Sequence, residues 1–496
     1  MSQFLERDIK SFGAKGNGSV NDHQAFKLAA DFFNRLGGNG KLIISKGTYI
    51  VGLQTKKPGY YLLGDPVLSF NDVKNFTIVF NDGAELKLRN GLRIGSFNPA
   101  NGSPFEAGRQ FTDLKFLASP ANIIEFRNSR NIQILNPAIN GNQNTMITGG
   151  RFGDVGFQVP ADGIMLANCN DVLIKGGYVK NAARDGIQIV DYREVTMKTP
   201  SKNIIIDGIT CDLSGRQGLS ITGGNGIIVK NSNFNNTFQG KIKSSPGSGV
   251  DVEAENSMIR DIKFINCYFI NNGNTGFVAD SGPSKDIYFE DCVFHSVIGW
   301  SAWTTKPNTR FNNCKFYGSI VMGYDAEREE DATVYTNCHF ENLPLNGNPA
   351  YNGGGQFHLL EITYKRRQKW INCTFVSHFH RKEVSSRPFY IEGNWGNDKK
   401  VYPVWQNCNF YISIDPNKYI GQRPDYLTVA YGINYNNVNM WVYGLKENDF
   451  NSKYYFAGGH SFNSPKTTFI SNIQEFIKKF PYKQPEYGNR YTPPSN

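Results

Sequence analysis

One short phrase, Asn-Cys-x-Phe, returns again and again in the second half of this chain. It reads NCYF from Asn266, DCVF from Asp291, NCKF from Asn313, NCHF from Asn337, NCTF from Asn372 and NCNF from Asn407. The cysteines at 267, 292, 314, 338, 373 and 408 are therefore 25, 22, 24, 35 and 35 residues apart. A unit this short cannot bury an apolar face alone and must stack on its neighbours. Each copy alternates polar and apolar residues, as in FINCYFI and YFEDCVF, which is the period of a strand. One coil per repeat, with like residues piled above one another, predicts a parallel β-solenoid.

A solenoid grows by adding coils, so 496 residues set no domain count. The 51 glycines and many asparagines suit a chain that turns a corner every few residues. Six of the eight cysteines occupy the same place in successive coils, and alternation points them inward, where Cys behaves as a small apolar residue. No CxxC or Cys/His metal spacing occurs. The net charge of +10 favours an acidic partner, an anionic polysaccharide or nucleic acid, if it is concentrated anywhere. Basic clusters at Lys365 and Arg381 come without a nucleic-acid-binding motif and read as solvated loops, so nucleic acid is not expected. No apolar run is long enough to span a membrane, and MSQFLERDIK lacks the apolar core of a signal peptide. Compartment stays open: secreted or periplasmic if a signal was removed, cytoplasmic otherwise. Oligomeric state is not legible.

Three segments are expected: a cap and first coil over 1–52, a β-helix over 53–415, and a C-terminal extension and cap over 416–496. In the cap, Asn21 or Asp22 starts a helix whose apolar stripe is Ala25, Leu28, Ala29, Phe32 and Phe33, and Gly37 and Gly38 end it. The Gly/Pro-rich stretch from Leu92 to Ser119 reads as a loop, and the tail YKQPEYGNRYTPPSN as frayed. The opening FGAKGNGSVNDHQAF…GGNGKLIISKGTYIV resembles the N-terminal segment of the pectin-lyase-like superfamily. With the coils, the resemblance extends to about residue 415. It implies an all-β fold, a right-handed parallel β-helix with an N-terminal capping helix. The superfamily holds polygalacturonases, pectate lyases, epimerases and tailspikes, so the resemblance speaks for fold more than for reaction.

Glycines at 163, 186, 218, 249, 276 and 299 each open one strand of a coil and serve as a common zero. Positions +1 and +3 are then apolar (Ile164/Leu166, Ile187/Ile189, Leu219/Ile221, Val250/Val252), an interior. Outward positions −1, +2 and +4 carry Asp162, Asp185, Gln188, Gln217, Asp251, Glu253, Asp280 and Trp303, with Arg184 and Arg216 just before their strands and Trp300 beside Trp303. Neighbouring carboxyl groups repel, which raises one pKa and makes an acid–base pair. Asp251, Glu253 and Asp280 are the candidate catalytic residues. Glu253 is the preferred general acid, with Asp251 or Asp280 as partner. The same trio could hold a calcium ion, although hydrolysis requires no cofactor and no metal site is assigned. Asp162, Arg184, Asp185, Gln188, Arg216, Gln217, Trp300 and Trp303 are candidate substrate contacts. Asp162 and Asp185 could equally fix turns, and the two arginines could be paired with them.

Three functions follow from this face. The first is hydrolysis of a polysaccharide by paired carboxyls. The second is β-elimination or epimerisation of an anionic glycan, with Arg184 or Arg216 serving as base. The third is glycan binding without cleavage, in which Trp300, Trp303, Tyr324 and Trp370 would matter more than the acids. The resemblance to polygalacturonases sharpens the first and departs from it. Their Asn-Thr-Asp-Gly looks like Ala161–Gly163, their Asp-Asp like Arg184–Asp185 and their Gly-His-Gly like Arg216–Gly218. Asp162 and Asp185 match acids of that family, but its general acid falls on Arg184 and its histidine on Gln217. The chemistry is therefore expected further along, at Asp251 and Glu253.

Overall fold

The repeat predicts coils, and the computed structural model shows them. It describes residues 4–106, 111–192, 200–255, 257–321, 323–349, 359–363, 365–381, 389–392, 398–415, 428–430, 433–447, 456–457 and 465–494. The chain divides into two compact units. One comprises Met1–Arg260, Ser281–Pro283 and Pro494–Asn496; the other comprises Asp261–Asp280 and Ser284–Pro493.

In the first unit each coil gives one strand to each of three parallel ladders. Gly38–Ile44, Lys74–Phe80, Arg130–Leu135, Asn170–Lys175, Lys202–Asp207 and Asn225–Lys230 form one ladder. Tyr178–Lys180, Thr210–Asp212 and Asn233–Asn235 belong to the second. Ile124–Arg127, Ile164–Ala167, Asp185–Val190, Gln217–Ile221 and Ser248–Glu253 belong to the third. The β-branched side chains of one level sit on those of the next, as in Ile132, Val172, Ile204 and Ile227, all buried. The expected loop from Leu92 to Ser119 is partly sheet. Arg93–Ser96 and Leu117–Ser119 pair with each other and join Ile147–Thr148 and Tyr60–Asp65 in a mixed sheet.

The cap is a helix over His23–Arg35. Its buried face is His23, Ala25, Phe26, Ala29, Ala30 and Phe33, whereas Leu28 is 46% exposed. The expected stripe was thus rotated: Phe26 packs edge-on against Tyr49 and takes the inward place given to Leu28. Asp22 stands at the N-cap, but its carboxylate accepts instead from the Lys15 and Gly16 amides at 2.7 and 2.9 Å, tying the preceding loop to the helix start.

The second unit explains the recurring phrase. Each leading Asn or Asp, at 266, 291, 313, 337, 372 and 407, has φ between 52° and 55°, the left-handed region that Asn tolerates best after glycine. These residues turn the chain from one ladder to the next, and their side chains bond along the stack: Asn372 donates to Asn337 at 3.1 Å and Asn407 to Asn372 at 3.2 Å. The following cysteines are buried, with thiols donating to backbone carbonyls. The phenylalanines stack face to face inside: Phe269 on Phe294 at 4.6 Å, Phe294 on Phe316 and Phe316 on Phe340 at 4.8 Å, Phe340 on Phe375 at 4.7 Å and Phe375 on Phe410 at 4.5 Å. Asn372→Ala is expected to cost about 1–2 kcal/mol, because alanine is strained at positive φ, while Asn372→Gly stays close to wild type. Equal urea midpoints for the two variants would contradict this.

The ladders run past residue 415. Asn409–Ser413, Asn439–Tyr443 and Lys466–Ile470 pair in parallel, and a helix over Ile473–Lys479 follows. The tail, expected to fray, is packed down instead. Tyr482 meets His378 edge-on at 5.0 Å under Arg381 at 4.3 Å, and Tyr487 and Tyr491 join Ile270, Val297 and Leu345 in an apolar cluster. His295 Nε2 lies 3.1 Å from the Leu343 carbonyl, which can only accept, so Nδ1 is the acceptor for the Tyr487 hydroxyl at 2.5 Å. Burial beside Tyr487 and Tyr317 pushes the imidazole pKa down to about 4, against the bond to the Leu343 carbonyl, which pulls it up. The unfolded chain then binds the extra proton first. His295 contributes fully above the ordinary histidine range, and its contribution is lost as pH falls towards 4. Stability measured by urea is expected to fall across that window, and His295→Gln should flatten the slope; an unchanged slope would refute the assignment.

Candidate active site

The floor of the candidate site is the third ladder of the first unit. Its register matches the one set by the opening glycines. Met165, Gln188, Ser220 and Asp251 form one line, and Asp185, Gln217 and Ser248 another. Ile164, Leu166, Ile187, Ile189, Leu219, Ile221, Val250 and Val252 are all interior. The glycines are required by close stacking. A Cβ on Gly186 would lie 2.6 Å from the Gly218 carbonyl, and one on Gly218 the same distance from that of Gly249.

Each arginine clasps the aspartate of the coil before it. Arg184 Nε donates to Asp162 Oδ1 at 2.6 Å, its terminal nitrogen donates to the other Asp162 oxygen, and the same nitrogen reaches Gln188 Oε1 at 2.7 Å. Arg216 repeats the pattern on Asp185, with Nε to Oδ1 at 2.8 Å. Both aspartates are fully buried, and the arginine side chains are 13% and 12% exposed. Burial pulls both guanidinium pKa values down, but the clasped carboxylates outweigh it and hold them above the ordinary arginine value. Burial pushes the Asp162 carboxyl up, Arg184 opposes this and Asp185 adds to it.

Asp251 is 4% exposed and accepts from the Gln217 amide. The oxygen of that amide, Gln217 Oε1, is buried without a hydrogen-bond partner among the described residues. Glu253 ends the same strand, half-buried. Beyond it Glu255 has its carboxyl pKa raised, by burial and then by the charge of Glu253, against the pull of Arg216 and Arg184. Glu255 escaped the glycine alignment because it lies just past the strand, although its charge stands two residues from Glu253 in the sequence. Glu125 was also missed. It is 5% exposed, lies in line with Met165, and accepts from Ser69 at 2.6 Å and Asn122 at 3.1 Å. Its coil opens with Ile123 where the later ones have glycine, so an alignment anchored on glycine began one level late.

Asp280, Trp300 and Trp303 belong to the second unit. There Thr275 pairs with Trp300 and Val278 with Trp303. Trp303 was expected in line with Asp280; it is two residues away from that match. Ser301, not Gly299, takes the strand-opening place, its carbonyl 2.5 Å from where a Cβ on Gly276 would stand. The two indoles meet edge-on at 6.1 Å and are half-buried. Asp280 is exposed, and its charge opposes the fall in the pKa of Lys306, which burial drives. Trp370 is interior, stacked on Tyr335 and packed against Trp405, each at 5.4 Å, which removes it from any glycan-facing surface. Among the described residues, no group of three or more His, Cys, Asp or Glu is placed to share a metal ion, and no helix is long and apolar enough to cross a membrane.

Comparison with known proteins bears on the fold. The family described as right handed beta helix region matches residues 138–316. No curated protein matches the sequence. Among solved structures, an exopolygalacturonase from Thermotoga maritima is 13% identical, with 88% of this chain and 91% of that one covered and a TM-score of 0.48. The A-module of the Azotobacter vinelandii mannuronan C-5 epimerase AlgE4 is 12% identical, covering 93% and 99%, with a TM-score of 0.48. The Streptococcus pneumoniae surface protein and adhesin PfbA is 14% identical, covering 94% and 100%, with a TM-score of 0.45. By its ladders and by that match, this chain has a right-handed parallel β-helix fold.

Proposed function

We propose that this chain is a glycoside hydrolase that cuts a polysaccharide lying across the third ladder of the first unit. Glu253 is the general acid and Asp251 its partner. The supporting observation is the contrast between two carboxyls on one strand: Asp251 is nearly buried and accepts the Gln217 amide, while Glu253 is half-buried at the strand end. A hydrogen bond donated to a carboxylate favours its charged form, which suits a base. Alternate residues of a strand are about 7 Å apart on one face, within the range for inversion. Glu253 would protonate the glycosidic oxygen as its bond to the anomeric carbon breaks. Asp251 would take a proton from the water attacking the opposite side.

The clasped arginines favour this reading over elimination. A base must shed its own proton before it can take one from the substrate. Arg184 and Arg216 each lie in a buried pair that holds the proton on. Incubation with a panel of neutral and acidic polysaccharides tests the reaction class. New reducing ends without ultraviolet-absorbing product are expected; an unsaturated, absorbing product would overturn the hydrolase reading.

A further inference from the structure

We propose that the first unit carries a second ligand track, a stripe of cations along the leading edge of its first ladder, which holds a linear acidic polysaccharide parallel to the solenoid axis. The register of that ladder sets Lys74, Arg130, Asn170, Lys202 and Asn225 one above another. Arg260 continues the line at the start of the next strand, Ile259–Ile265. Levels stack about 4.8 Å apart, so the stripe runs about 24 Å. Its four cations are exposed, and none of them forms an ion pair among the described residues. The acids beside the line are few. Asp72 precedes Lys74 by two residues, Asp171 accepts from the Asn203 amide at 2.9 Å, and Asp261 lies 3.3 Å from Lys263. Part of the net charge of +10 is therefore gathered in one row, where like charges repel and a polyanion relieves the repulsion.

The stripe is shaped as well as charged. Lys202, Asn225 and Arg260 line a hollow of about 370 Å³ with Ser201, Ser257 and Met258. Asp191, fully buried, fixes its wall by accepting from the Ser201 amide and the Ser257 hydroxyl, each at 2.7 Å. One carboxylate thus ties together the approaches to two strands that stand two levels apart in the ladder. The cations suit carboxylate or sulfate groups, and the asparagines between them suit hydroxyls. Nucleic acid fits less well. Single strands are held by bases stacked on aromatic rings. The next outward places on these strands hold Thr77, Gln133, Leu173, Ile205 and Ile228, none of them aromatic. A duplex presents two rows of phosphates, whereas this row is one residue wide. The stripe lies off the third ladder, so it stands whether or not the hydrolase reading does.

Affinity electrophoresis tests the track, with every protein carrying Glu253→Gln so that the proposed acid does not digest the gel. The gels contain polygalacturonate, alginate, chondroitin sulfate, neutral dextran or polydeoxythymidine. The stripe variant is Lys74→Gln/Arg130→Gln/Lys202→Gln/Arg260→Gln. A control with the same change in net charge, Lys15→Gln/Lys56→Gln/Lys478→Gln/Lys483→Gln, alters exposed lysines elsewhere. Retention is expected in at least one acidic polysaccharide gel and not in dextran, and it should weaken as salt is raised. The stripe variant should bind about tenfold more weakly, at an unchanged urea midpoint, and the control close to the parent. Lys202→Gln/Arg260→Gln, the milder change, should lose part of the same affinity. Retention by the polyuronates alone names carboxylate as the group held, and retention by chondroitin sulfate alone names sulfate. No retention in any acidic polysaccharide gel would overturn the inference, as would equal losses in stripe variant and control. Tighter, stripe-dependent retention by polydeoxythymidine would assign the track to nucleic acid instead. Cleavage assays on the wild type decide the hydrolase reading separately.

Discussion

Arg216→Met is expected to destabilise the first unit by about 3–5 kcal/mol, the usual cost of leaving a buried charge without its partner. Asp185 is fully buried and loses both bonds from Arg216; the Nε of Arg184 is left 3.7 Å from it. Methionine keeps the length and most of the packing of the side chain, so the loss reports charge and not volume. Removing both charges, in Asp185→Leu/Arg216→Met, should restore most of the stability, because the desolvation of both ions is no longer required. A double-mutant cycle in urea measures the coupling. If the single variant lost less than about 1 kcal/mol, the pair would be behaving as a solvent-screened surface pair and the floor described above would be wrong.

That ladder of clasped ions marks how far the sequence could be read. The register was legible because interior positions demand apolar residues and the opening position tolerates only glycine, so Met165, Gln188, Ser220 and Asp251 fell into line. Where glycine stopped being the constraint, the reading slipped. Ser301 takes the opening position in the coil of Trp303, and Ile123 opens that of Glu125. Partnership was less legible than register. Arg184 could have reached Asp162 or bound substrate, and only the packing of side chains between levels shows it clasping the coil before. The tail was misjudged for a related reason. Tyr482, Tyr487 and Tyr491 find their places on His378, His295 and Leu345, residues 100 or more positions away, and no local pattern announces such contacts.

Glu253→Gln is expected to lower kcat by about 10²–10⁴-fold, the range lost when a positioned acid or base is removed, with KM and the urea midpoint close to wild type. Glutamine keeps the shape and can still donate a hydrogen bond, but it cannot deliver a proton to a leaving oxygen. Asp251→Asn should lose a similar factor for a different reason, since its amide cannot take a proton from water, and it also disturbs the bond from Gln217. The two defects are separable. A leaving group that departs without protonation, as in an aryl glycoside with an acidic phenol, should rescue Glu253→Gln substantially and Asp251→Asn hardly at all. Glu255→Gln should keep most of the activity, because Glu255 lies beyond the strand that carries both proposed reacting groups. Undiminished turnover in Glu253→Gln would remove the acid from the mechanism, and retained binding without turnover in the wild type would leave a glycan-binding solenoid in its place. Rescue of Asp251→Asn but not of Glu253→Gln would exchange their roles, with Asp251, nearly dry under the Gln217 amide, as the proton donor.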